Sequence, residues 1–244
     1  ARNRALAEAR GEVVAFTDDD AAPEPGWAEA LAADFADPRV LAVCGLTLPL
    51  ELETDAQVWF ERHCPFGRGF ERRVFDPLSD NPLAAGAVGA GANLALRRDV
   101  LERVGPFDER LDAGTPTRSG GDHELFSRIL AAGYRIVYEP AAVSWHRHRA
   151  TREALRRAVF GYGAGVYATF TQQLVENREI GVLRRAAIWL RRGQLPALFA
   201  SLRRAPGSVP LDLLAAELAG CAAGPWLWWR SARERRSARA GAAR

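Results

Sequence analysis

An α/β fold followed by a helical C-terminal extension is what this sequence predicts, and three observations predict it. From residue 13 the chain reads as strand, helix and strand in succession: "VVAFT" at 13–17, "GWAEALAADFAD" at 26–37 and "VLAVCGLTL" at 40–48. A second alternation follows, in which "DHELFSRILAAG" runs into "RIVY" within 122–140. Near residue 150 the strand-like runs give way to helical ones, and the charge changes sign. Residues 1–140 hold 15 Arg against 24 Asp and Glu, whereas residues 141–244 hold 18 Arg against 6.

The 244 residues, 48% hydrophobic and 26% charged, suit one ordinary domain with an appendage and suffice for a real core. No repeat at solenoid spacing is present. The chain has no Met and opens on "ARNRALAEAR", which reads as the middle of a helix and is expected to be a piece of a longer protein. It also has no Lys, which we attribute to coding bias. The three cysteines, Cys44, Cys64 and Cys221, are far apart and have no CxxC or Cys/His spacing. That excludes a disulfide framework and a structural zinc site, and it fits a reducing, cytoplasmic compartment. The acidic part is expected to hold a metal or a cationic ligand, and the basic part to meet something anionic.

Taken in order, "NRALAEAR" is a short helix ended by Gly11, and "VVAFT" is a buried strand followed by a Pro-rich turn. The 26–37 helix carries Trp27, Ala30, Leu31 and Phe35 at helical spacing, and Pro38 stops it. A helix is expected over 54–62, then a long irregular loop to about 85. The Gly/Ala stretch from 86 leads into "NLAL" and a short helix to Gly105. The next helix sets Leu125, Phe126, Ile129 and Leu130 on one face, Gly133 caps it, and "RIVY" is a strand. "AVSWHRHR" at 142–149 reads as a separate extended piece. Helices then fill roughly 150–175, 180–192, 194–203 and 210–222. "FGYGAGVYATF" at 160–170 places small residues between aromatics, which suits close helix packing.

Three places carry chemistry. Asp18, Asp19 and Asp20 crowd the end of a strand, where ligands of α/β sheets bind. One Asp there would be a turn residue. Three repel one another unless a cation sits among them, and a hard cation such as Mg²⁺ or Mn²⁺ shares carboxylates with a diphosphate. Asp122 sits at a helix start beside Gly120 and Gly121, placed either as an N-cap or as a carboxylate base. Glu124, two positions on, is expected to point to solvent or to an acceptor. His146 ends a strand between residues that include Arg147 and Arg149, an imidazole suited to Mn²⁺ beside guanidiniums suited to a diphosphate.

Together these pieces resemble family 2 of the glycosyltransferases, which have the GT-A fold. "ARN" at 1–3 and "GEVVAFTDDDAAPEPGW" look like the family's strand ending in a DxD motif, and "GAGANLALRRDVL…GGDHELF…SWHRHR" looks like its acceptor-side half. The resemblance covers residues 1 to about 165. It implies an α/β fold class: an incomplete GT-A (nucleotide-diphospho-sugar transferase) sheet over 1–150, with a helical, basic extension over 151–244. It implies Asp18 and Asp20 as the DxD pair, with His146 as a further ligand to Mn²⁺ or Mg²⁺. It implies Asp122 as the general base and Glu124 as an acceptor contact. Arg2, Asn3, Asp18, Asp19, Gly91, Ala92, Asn93, Arg147 and Arg149 would line the donor. The reaction implied is a single displacement with inversion, from a nucleotide-sugar donor to a glycan or lipid-linked acceptor. The sequence departs from the pattern in two ways. The glutamate of the family's "ED" pair is Gly121 here. The first strand, first helix and second strand, which normally hold the nucleotide base, are expected upstream of Ala1.

In the extension, "LDLLAAELAGCAAGPWLWW" contains Asp212, Glu217 and Pro225, so it is a poor spanning helix. Trp226, Trp228 and Trp229 beside a run of Arg suggest an interfacial anchor on anionic lipid, at the inner face of the plasma membrane. No RNA-binding motif is present, and nucleic acid is not expected as a partner. A phosphatase with DxD after a strand is disfavoured by Ala21 and Ala22 and by the lack of any Lys. The alternative kept is a non-catalytic, membrane-associated partner.

Overall fold

The computed structural model describes residues 1–242, with side chains described as far as Ser237. Arg239 and Arg244 of the basic tail lie outside the described side chains. The chain divides into two compact units, Ala1–Phe107 with Glu124–Arg152, and Asp108–His123 with Glu153–Arg244.

The first unit is a mixed six-stranded sheet with helices on its faces. Its strands are β1 (Val13–Thr17), β2 (Ala21–Pro23), β3 (Val40–Pro49), β4 (Arg73–Phe75), β5 (Asn93–Arg97) and β6 (Arg135–His146). The order is β1-β5-β3-β6-β2, with β4 beside β6. β3 is central and pairs parallel with β6; the other pairings are antiparallel. Its run "VLAVCGL" is buried throughout because both faces of the strand are covered. Leu31 and Phe35, from the helix α2 (Trp27–Ala33) and the 3₁₀ turn after it, cover one face together with Val40, Val43 and Val137. Leu125, Phe126, Ile129 and Leu130 cover the other, packed with Leu41, Leu94, Leu96 and Tyr138.

Four expectations for this unit need correction. "VVAFT" is an edge strand paired only to β5 and half-buried, not a buried one. The turn after Asp20 contains the short strand β2. The 64–85 loop contains β4 and a 3₁₀ segment, Pro82–Ala87. "RIVY" and "AVSWH" are one strand, β6, with a bulge in the middle. The register against β3 jumps at Gly45/Leu46, where the partner passes from Glu139 to Val143. Pro140 hid that continuity in the sequence, since proline within a strand is tolerated at such bulges.

The second unit is helical. It contains α6 (Arg152–Glu176, of which Arg152 is counted with the first unit), α7 (Gly181–Trp189), a π-helical turn (Leu190–Gln194), α8 (Leu195–Leu202) and α9 (Leu211–Ala242). α9 runs through Pro225 and well past the expected end near 222. The glycines of "FGYGAGV" serve packing, as expected. A Cβ on Gly163 would lie 2.5 Å from the Glu217 carbonyl, and one on Gly220 would overlap the Phe160 carbonyl. α6 and α9 therefore meet backbone to backbone. Among the described residues, no helix is long and apolar enough to cross a membrane.

Candidate functional site

The site in the first unit is made by strand ends. β1 stops at Thr17, and Asp18–Asp20 turn the chain, with the Ala21 amide donating to the Asp18 carbonyl at 3.2 Å. β2 then pairs antiparallel with the end of β6, so that Ala21 lies opposite His146. The Arg147 amide donates to the Asp20 carbonyl at 2.9 Å and extends the ladder by one step. This register sets the Asp20 carboxylate against the imidazole: His146 Nε2 lies 3.2 Å from Asp20 Oδ1. One ligand atom each from Asp18, Asp20 and His146 lies within 4.8 Å of the others. Asp18 is exposed, Asp20 partly buried and His146 buried; Asp19, also exposed, is not one of the three.

The electrostatics fit a cation. Desolvation, and then repulsion from Asp20, raise the Asp18 carboxyl above its usual range. Burial lowers the His146 imidazole, although Asp20 pulls the other way. The cluster thus disfavours a second carboxylate charge, and burial disfavours a protonated imidazole. Two carboxylate oxygens and one imidazole nitrogen form a donor set suited to Mn²⁺ or a similar ion.

Behind the cluster lies a layer that the sequence reading missed. Residues 146–149 are extended, so successive side chains alternate. His146 and His148 turn inward, while Arg147 and Arg149 turn outward. His146 Nδ1 lies 3.3 Å from His148 Nδ1, and His148 Nε2 lies 2.9 Å from Glu61 Oε2. The rings of Phe60 and Phe66 enclose the two imidazoles. Gln57 donates to the His148 carbonyl at 3.3 Å from α3 (Asp55–His63), whose capping box on Thr54 fixes its start. The signal available was the i, i+2 spacing in "HRHR", which puts both histidines on one face of an extended segment.

The other sequence-predicted residues fall in different places. Arg149 Nη1 reaches Asp20 Oδ2 at 3.4 Å, but Arg147 pairs with Glu51 at 3.0 Å. Asn93, expected at the donor, is fully buried. Its amide donates to the carbonyls of Leu46 and Ala142 at 3.1 and 2.9 Å, and its oxygen accepts from the Trp27 indole at 2.7 Å. It fills the bulge of β6. Ala92 is buried, and Gly91 is partly buried. The Asn3 side chain clamps the Phe107 backbone, accepting at 2.8 Å and donating at 2.9 Å, while Arg2 stacks on the Phe107 ring at 4.5 Å. Glu124 does not reach solvent. It is 1% exposed and ion-paired to Arg128 at 2.6 Å.

In the second unit, Asp122 opens α5 (Gly121–Ala131) and accepts from the His123 amide at 2.8 Å. The replacement of the "ED" glutamate by Gly121 has a local reason. A Cβ at 121 would lie 2.9 Å from the Asp112 carboxylate and 3.0 Å from its Cβ. Asp112 holds a left-handed φ of 88° in a loop closed by Ser119 and Thr117. A carboxylate therefore stands next to position 121, supplied from the loop. Of the three tryptophans, Trp228 is buried with Leu111 and Ala168, while Trp226 and Trp229 are exposed under Arg230 and Arg233.

Comparison with known proteins covers part of this site: the family match reaches Asp18 and Asp20 but stops short of Asp122 and His146. Residues 1–105 match Glycosyl transferase family 2. The pre-mycofactocin glycosyltransferase of Mycobacterium tuberculosis is 33% identical over 165 residues, which is 67% of this chain and 33% of that protein. Glycosyltransferase AglE of Haloferax volcanii is 27% identical over 199 residues, 80% of this chain and 58% of that one. The O-antigen biosynthesis protein RfbC of Myxococcus xanthus is 31% identical over 160 residues, 62% of this chain and 12% of that one. The chain spans about a third of the length of the first of these relatives.

Proposed function

Since the chain belongs to glycosyl transferase family 2, we propose that it transfers a sugar from a nucleotide-sugar donor to a glycan or lipid-linked acceptor hydroxyl, with inversion. The observation that carries this is the convergence of Asp18, Asp20 and His146 at the paired ends of β2 and β6. These three residues would hold Mn²⁺ or Mg²⁺ on the donor diphosphate. That ion, when bound, supplies Lewis-acid stabilisation of the leaving diphosphate.

The chain's own residues do the rest. His146 offers Nε2 as the ligand when Nδ1 carries the proton and donates it to His148 Nδ1. His148 Nε2–H then donates to Glu61, a carboxylate–histidine–histidine line that fixes the ring and its tautomer. Arg149, beside Asp20, would meet a phosphate oxygen. Arg2, which acts electrostatically on Asp18, is the other guanidinium near the cluster. Asp122 is assigned as the base that takes the acceptor proton, and Glu124 holds its helix through Arg128. An anionic membrane surface on the cytoplasmic side would present the lipid-linked acceptor.

The test is calorimetry of UDP and GDP binding with and without Mn²⁺, on the wild type and on Asp20→Asn. Metal-dependent binding that the variant loses is the expected result. Nucleotide binding unaffected by either metal or Asp20 would sink the assignment of the site.

A further inference from the structure

The second unit also carries the continuous segment formed by α7, the π turn and α8. Five large apolar side chains stand exposed along this segment: Leu183 at 59%, Leu190 at 38%, Leu195 at 37%, Phe199 at 56% and Leu202 at 60%. Their spacings are 7, 5, 4 and 3. Seven, four and three are whole turns of an α-helix, but five is not. The step of five crosses the π turn Leu190–Gln194, and a π turn closes i to i+5. The π turn thus keeps one apolar stripe aligned from Leu183 to Leu202. The inner side is separate, formed by Val182, Gln194 and Ser201, all buried.

Charge says what covers the stripe. Three of its leucines are each followed by two arginines: Leu183 by Arg184 and Arg185, Leu190 by Arg191 and Arg192, and Leu202 by Arg203 and Arg204. Residues 180–211 contain no Asp or Glu. Among the described residues, none of the six arginines forms an ion pair. By contrast, the Arg-rich end of α9 is partly engaged. Arg235 pairs with Glu109 at 2.8 Å, Arg230 pairs with Glu234, and Trp228 is buried. An aliphatic and aromatic stripe flanked by unpaired arginines, with no acid among them, matches an anionic bilayer surface. The apolar chains enter the acyl boundary, and the guanidiniums meet lipid phosphates.

We propose that Leu183–Leu202 lies in the plane of an anionic membrane and is the protein's main lipid contact. This deepens the membrane-surface reading above and moves the contact from the tryptophans of α9 to this stripe.

The experiment is sedimentation of the purified chain with vesicles of phosphatidylcholine alone or with phosphatidylglycerol. Three variants are compared with the wild type: Phe199→Glu with Leu202→Glu, Arg191→Glu with Arg192→Glu, and Trp226→Ser with Trp229→Ser. Sedimentation velocity without lipid accompanies each. We expect binding only with phosphatidylglycerol. It should weaken at least about tenfold in the Phe199/Leu202 variant and about fivefold per arginine lost. The Trp226/Trp229 variant should change it little. If only the tryptophan variant loses binding, the stripe inference falls and the membrane reading stands. If the wild type binds no vesicle, both fall. If the wild type is a dimer that the Phe199/Leu202 variant breaks while vesicle binding persists, a second copy covers the stripe and the inference is overturned.

Discussion

The two units organise their chemistry in opposite ways. In the first, Asp20 and His146 are 126 positions apart in the chain and meet because β2 pairs with β6 in one register. Shifting that pairing by one residue would turn every side chain of β2 to the other face. In the second, the stripe from Leu183 to Leu202 needs only helical repeat and one π turn. A site built from distant strands is precise and fragile. A surface built from one helical run is tolerant and local. Mutations should separate the two.

The largest effect is expected at Asn93. Its side chain satisfies two carbonyls and an indole inside the bulge that leads into Val143–His146. Asn93→Leu leaves these buried groups unpaired. At about 1–3 kcal/mol each, the loss should be about 3 kcal/mol or more. Urea unfolding measures it. Metal binding by Asp18, Asp20 and His146 should weaken in the same variant under conditions where it is still folded, while vesicle binding stays near wild type. Equal damage to both functions would break the contrast between the units.

A second variant sharpens it. His148→Phe keeps the ring volume between Phe60 and Phe66 but removes the hydrogen bonds to His146 and Glu61. Partners of this kind are worth about 10–100-fold in metal affinity. Mn²⁺ titration followed by electron paramagnetic resonance should show that loss with the thermal midpoint little changed. Glu61→Gln, which still accepts a hydrogen bond, should lose less. Unchanged affinity in both variants would reduce this pair to packing.

These contacts also mark where sequence reading stopped. The central strand, the α2 helix and the apolar face of α5 were legible because each is a local pattern. So were the carboxylates at the end of β1, since crowded charge implies a counter-charge. The resemblance to the family pointed to His146, which the fold brings to Asp20. What was not legible depended on pairing. β2 is three residues long, with no apolar alternation to announce it. β6 was split at Pro140 because a bulge bridged by Asn93 leaves no signature around the proline. The hydrogen bonds of Asn93 across that bulge could not be read from its neighbours in the chain. His148 went unread, although its spacing from His146 was in plain view, because only the fold supplies Glu61 to complete the line. The stripe went unread, because the sequence suggested one helix ending at 192 and another starting at 194, whereas α7 runs through the π turn into α8.

Gly121 tests the local side of the second unit. Restoring the family's acid with Gly121→Glu would drive a Cβ to within 2.9 Å of the Asp112 carboxylate and set two carboxylates together. Overpacking of this order costs about 1–3 kcal/mol. The thermal midpoint should fall. It should fall less in Gly121→Glu combined with Asp112→Gly, where the crowding and the left-handed strain at 112 are both removed. A glutamate accepted at 121 with no loss would mean that the loop simply moves aside.

The smallest effect is a pH dependence that His146 contributes. Burial lowers its imidazole below the ordinary value of about 6.5 that the unfolded chain keeps. Between those two values the unfolded state binds a proton that the folded state refuses, so stability rises with pH there. Its contribution is complete above the ordinary imidazole value and is lost as the pH falls through that value towards the folded one. The slope from one group is at most about 1.4 kcal/mol per pH unit. Asp18, raised by burial and by Asp20, acts in the opposite sense and only in the carboxylate range, where its folded form holds a proton longer. The two windows are separable by comparing metal-free wild type with His146→Gln between pH 7.5 and 5.5. The wild type should lose stability on acidification more steeply than the variant. Mn²⁺ held by the cluster should steepen the wild-type loss further, because protonating the imidazole removes a ligand. Parallel curves for the two proteins would mean that His146 is charged in the folded state, held by Asp20 as an ion pair and not as a ligand awaiting a metal.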